Sequence, residues 1–113
     1  MNYMALPGLK NRRGIKFDYP KDKTVELVKE AVTDYFGITF EKLSRRCRKK
    51  EILYPRQVLI YLLRQNTSMH LSEIGVLFGL DHTTVIHNIQ RIKGFVESYD
   101  EIRKEIRLIQ ASI

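Results

Sequence analysis

Tryptophan is absent from the 113 residues, cysteine occurs once, and proline three times, at Pro7, Pro20 and Pro55. A lone Cys47 excludes an internal disulfide and points to a reducing interior compartment. With no proline after residue 55, the second half is free to be almost unbroken helix. No apolar run approaches the roughly 20 residues needed to span a bilayer. The N-terminal stretch places Lys10, Arg12, Arg13 and Lys16 among glycine and proline, without the apolar segment of a secretion signal. The reading is a cytoplasmic protein with no membrane partner. Strand-like alternation, internal repeats and low-complexity tracts are all missing.

What is present is enough apolar material, 43% of residues, to fill one compact core. Lys and Arg outnumber Asp and Glu by 20 to 13, a formal charge of +7. On one small domain that field favours polyanions such as DNA, RNA or an anionic membrane face. Charge alone does not choose between them, or exclude a merely solvated basic surface.

Residues 1–21 read as an irregular basic arm, in which Tyr3, Phe17 and Tyr19 are packing anchors. Residues 22–113 read as one all-α domain, a compact six-helix bundle. Val25, Val28, Val32 and Tyr35 recur with helical spacing between a cap at Asp22 and a stop at Gly37. Thr39 caps a short helix over 40–47, with Phe40 and Leu43 on one face. A basic cluster follows: Arg45, Arg46, Arg48, Lys49 and Lys50. Pro55 suits the first turn of a helix over 55–66, apolar around much of its girth and therefore the most buried. His70-Leu-Ser-Glu73 resembles a capping box before a short helix with Ile74, Leu77 and Phe78 inward. Asp81 caps a long helix striped by Val85, Ile89, Ile92 and Val96. Ser98-x-x-Glu101 predicts the cap of the last helix, where Ile102, Ile106, Ile109 and Ile113 form the stripe.

Residues 71–93 carry the functional signal. A helix of about eight residues, a tight turn at Gly79-Leu80 and a longer Asp-capped helix make a helix-turn-helix. Gly75, unfavourable in mid-helix, is useful where a second helix crosses closely. Gly79 is free to take a positive φ at the turn. At 100° per residue the long helix buries its aliphatic stripe within an arc of about 60°, and Thr83, His87, Gln90 and Gly94 face the other way, flanked by Thr84 and Arg91. Asp81, His82, Thr83 and Thr84 form its leading end, the part that a recognition helix inserts into a major groove. Threonine methyls can touch the thymine methyl, Asp81 can accept from cytosine N4, and free helix N–H groups suit phosphate. His87, Gln90 and Arg91 stay open between DNA contact and solvent.

The runs ITFEKLSRRCR, YPRQVLIYLLRQNTS, LSEIGVLFG and DHTTVIH, with Arg91-Ile92 following, resemble the C-terminal DNA-binding domain of DnaA, the bacterial chromosomal replication initiator. The resemblance covers residues 25–92. It implies that Asp81, His82, Thr83 and Thr84 read bases in the major groove and that Arg48 enters the adjacent minor groove. It implies phosphate contacts from Arg56, Gln57 and Arg64, beside those expected of Arg45, Arg46, Lys49 and Lys50 in the basic cluster. The implied ligand is a short, asymmetric, A·T-rich box in duplex DNA, bound by one domain without a palindrome.

This sequence departs from the family in two ways. Gly79-Leu80-Asp81 is one residue shorter than the usual turn and lacks its basic residue, while Tyr54 stands where many relatives carry a basic one. Second, the initiator's ATPase module has no counterpart here, since nothing matches G-x-x-x-x-G-K-[ST]. If Met1 is a true start, the chain is a stand-alone box-binding domain, and ATPase function belongs to a partner or a missing module. The alternative from another class is a helix-turn-helix-shaped protein-interaction module, using Leu80 and the last isoleucine stripe; RNA binding ranks below it. No metal or other cofactor is expected: no two of His70, His82 and His87 stand four apart, and Cys47 has no partner ligand. Nor is catalysis, for want of a carboxylate pair or an oriented nucleophile.

Overall fold

The computed structural model describes residues 21–45 and 49–113; residues 1–20 of the N-terminal arm, with Tyr3, Phe17 and Tyr19, and Arg46, Cys47 and Arg48 lie outside them. Among the described residues six helices follow in order: α1 (Val25–Phe36), α2 (Phe40–Ser44), α3 (Lys50–Asn66), α4 (Leu71–Phe78), α5 (His82–Ser98) and α6 (Asp100–Gln110). The all-α six-helix architecture is as expected, and no strand occurs among the described residues.

Helix α3 is the axis of the bundle, packed against α1, α2, α4 and α5, while α6 lies on α1 and α5. Every residue from Pro55 to Leu63 in α3 is buried. The stripes meet around it: Val28 and Val32 of α1, Leu43, Ile74, Val85 and Ile92, and Ile106 and Ile109 of α6. Phe40 sets its ring edge-on against Phe78, centroids 5.7 Å apart, joining α2 to α4. Non-directional burial of this kind supplies most of the drive to fold.

Several helix ends differ from expectation. Thr24, not Asp22, caps α1, its hydroxyl accepting the Leu27 N–H. Helix α2 stops at Ser44, short of residue 47. Helix α3 begins at Lys50, so Pro55 lies inside it rather than in its first turn. That position leaves the Glu51 carbonyl without the usual helix donor. Ser98 is the last residue of α5, and α6 starts from Tyr99 with no side-chain cap. Arg103 of α6 instead donates to the Val96 and Glu97 carbonyls, satisfying the carboxyl end of α5.

Polar ties fasten α6 at two levels. Glu105 accepts hydrogen bonds from Tyr35 (3.0 Å) and Tyr54 (2.6 Å), linking α6 to α1 and α3. The exposed Tyr35 thus serves this tie and not the core. Further along, the Asn66 and Gln110 amides exchange reciprocal hydrogen bonds of 2.9 and 2.6 Å.

Candidate nucleic-acid interface

The turn between α4 and α5 is built on two glycines. Gly79 takes φ +65° and its N–H closes α4. The Leu80 N–H then donates to the Gly75 carbonyl at 2.9 Å. A Cβ placed on Gly75 would lie 2.4 Å from the Leu80 carbonyl oxygen and 3.6 Å from Val85 Cγ2. The close approach at Gly75 is therefore made chiefly by the turn backbone, with the crossing helix second.

Asp81 opens α5. Its Oδ1 accepts the Thr84 N–H at 2.7 Å. That N–H first, then the Thr84 side chain, holds the carboxyl below its ordinary pKa, with the nearby histidines adding to the effect. Asp81, His82 and Thr83 are exposed and Thr84 is half-buried. The first turn of α5 thus stands clear of the protein. Behind it Val85, Ile92 and Val96 are buried and Ile89 half-buried, whereas His87, Gln90 and Arg91 are exposed, following the helical wheel. Arg91 lies over the Phe95 ring, 5.2 Å from its centroid.

The basic cluster is described at its two ends. Arg45 is exposed and 3.7 Å from Glu41, an i,i+4 pair in open solvent. Lys49 and Lys50 are exposed at the start of α3. Arg46 and Arg48 lie outside the described residues. Arg64 is half-buried and donates to the Met69 carbonyl at 3.0 Å.

Arg56 and Gln57, expected at phosphates, are only 8% and 6% exposed. The Arg56 guanidinium donates to the Leu43 carbonyl at 2.7 Å and to the Arg45 carbonyl. The Gln57 amide donates to Asn88 Oδ1 of α5 at 2.7 Å. Sequence reasoning missed both links. A polar pair that follows a proline reads as surface, and its partners stand 13 and 31 positions away. Together they bring the site into one place. A single turn of α3 holds the root of the basic cluster with one residue and the recognition helix with the next.

Among the described residues there is no group of three or more His, Cys, Asp or Glu side chains arranged to hold a metal ion, and no helix long and apolar enough to cross a membrane.

Comparison with known proteins agrees with this geometry. The family described as bacterial DnaA protein helix-turn-helix matches residues 25–92. The chain is 38% identical over 93 residues to the chromosomal replication initiator protein DnaA of Caldanaerobacter subterraneus subsp. tengcongensis, covering 82% of this chain and 21% of that one. It is 41% identical over 87 residues to the protein of that name from Thermus thermophilus (76% and 20%), and 33% over 95 residues to that of Treponema pallidum (83% and 20%). The chain spans about a fifth of the length of these relatives. With a match through all of α1 to α4 and most of α5, it belongs to the bacterial DnaA helix-turn-helix family and is a DNA-binding domain of the DnaA C-terminal type.

Proposed function

We propose that this domain binds a short, asymmetric, A·T-rich box in double-stranded DNA, one domain to a site. The carrying observation is the exposed, Asp-capped leading turn of α5, joined through α3 to the root of a basic segment. Asp81, His82, Thr83 and Thr84 enter the major groove. Thr83 offers a methyl to thymine, and Asp81, kept ionised by its cap, accepts from cytosine N4. Arg48 enters the neighbouring minor groove, whose narrowness over A·T tracts concentrates negative potential. Arg45, Arg46, Lys49, Lys50 and Arg64 meet phosphates and fix the register. Arg56 and Gln57 brace these groups from behind through their hydrogen bonds to Leu43, Arg45 and Asn88. By analogy with the relatives' name, the setting is initiation of chromosomal replication, with the ATPase step supplied by another module or partner.

Selection of bound sequences from a random duplex pool tests the reading and reports the box. A selected duplex should outcompete its scrambled counterpart; equal affinity for the two would end the proposal. Thr83→Ala should lower that preference more than it lowers non-specific binding. Arg48→Ala should weaken the selected site by about 1–3 kcal/mol.

A further inference from the structure

Arg56 is a full cation that is more than nine-tenths buried, in a helix that goes on to bury Val58, Leu59 and Ile60. It donates to the carbonyls of Leu43 and Arg45, at the carboxyl end of α2, where a helix leaves such groups without internal donors. Arg45 is also the residue from which the basic segment departs. Gln57, next in the chain and equally buried, donates to Asn88 on α5. Apolar side chains would fill this space at less desolvation cost. They would also let α2 and α5 slide on α3. A guanidinium fork fixes two carbonyls at one separation, and an amide pair fixes the roll of one helix upon another.

We propose that Arg56 and Gln57 form a positioning clamp, setting the distance between the basic segment and the recognition helix so that both grooves are read in one register. Selectivity then depends on the clamp, and phosphate attraction does not. The inference rests on the DNA-reading function proposed above.

The test uses the whole chain with two duplexes, one selected from a random pool and one scrambled, titrated over a range of salt. Arg56→Lys keeps the charge and loses the fork. Asn88→Ala, at a half-buried position, removes Gln57's partner with little risk to folding. In both variants the ratio of selected to scrambled affinity should fall about tenfold, the scale of one lost hydrogen-bonded coupling. The slope of log affinity against log salt should stay unchanged. Gln57→Ala combined with Asn88→Ala should cost no more than either alone. Without DNA, Asn88→Ala should shift the Arg45 amide resonance and Arg56→Lys those of His82–Thr84.

The clamp is overturned if Arg56→Lys binds like the unaltered protein while Arg56→Ala lowers the salt slope by about 1 and weakens both duplexes equally, the mark of a phosphate contact. It is also overturned if no resonance shift crosses between the two elements. Should the unaltered protein fail to distinguish the duplexes, the DNA-reading function falls instead, and the resonance shifts still decide whether the clamp couples α2 to α5.

Discussion

At the scale of single residues, two helical glycines that look alike in sequence have opposite surroundings. A methyl group on Gly75 meets turn backbone at 2.4 Å, whereas one on Gly94 meets nothing within 4 Å. Gly75→Ala must push the Leu80 carbonyl aside, and is expected to destabilise the fold by about 1–3 kcal/mol. Gly94→Ala only restricts the unfolded chain and favours the helix, a gain of about 0.5–1 kcal/mol. Urea midpoints of the two variants, moving in opposite directions, check both. Tyr54 offers a third test. Burial first, and then its hydrogen bond to Glu105, push its pKa well above the usual tyrosine value. Below pH 10 the phenol keeps its proton whether the chain is folded or not, so its contribution is whole. Above pH 10 the unfolded chain releases a proton that the folded chain retains, and stability falls as pH climbs. Tyr54→Phe should cost about 1 kcal/mol at pH 7 through the lost hydrogen bond. It should also make the decline between pH 9 and 11 shallower, read from urea midpoints across that range.

At the scale of helices, what the sequence made legible was the apolar stripes and those ends that carry a chemical marker. Thr39, Asp81, Gly37 and Gly79 all terminate helices where their side chains or backbone freedom predict. The ends misread are those where a marker competes with a neighbour or is absent. Asp22 and Thr24 are both competent caps, but the Lys23 N–H between them donates to the Asn66 carbonyl at 3.0 Å and the helix starts only after it. At the start of α3 no side chain caps the helix, so Pro55 offered the only visible boundary and misplaced it by five residues. Ser98 has the right spacing to Glu101, yet α5 runs through it. Thr24→Ala should therefore lower stability by about 0.5–2 kcal/mol, while Asp22→Ala should change it by less than about 0.5 kcal/mol. Thermal melts of the pair tell the two caps apart. The exposed tip of α5 was equally open to prediction, because a cap and a wheel define it locally. The buried roles of Arg56 and Gln57 were not, since their partners come from other helices and no periodicity encodes them.

At the scale of the whole molecule, a charge of +7 is joined to a surface whose exposed large apolar side chains among the described residues, Leu27, Tyr35, Val76, Tyr99 and Leu108, are spread over several elements. Such a body is drawn to a phosphate backbone over long range and sorted only at contact. With roughly six phosphate contacts, log affinity should fall against log salt with a slope of about −5. Filter binding or anisotropy between 50 and 200 mM salt measures it, and a flat dependence would contradict the electrostatic part of the reading. The double tie of α6 has a practical consequence. Glu105 and Gln110 bolt that helix down along its length, and α6 meets α5 at the end about 25 Å from the recognition tip. A fluorophore attached behind Ile113 would sit on a fixed post instead of a slack tether. Its tumbling would be that of the entire domain, so capture of a duplex would register as slowed rotation.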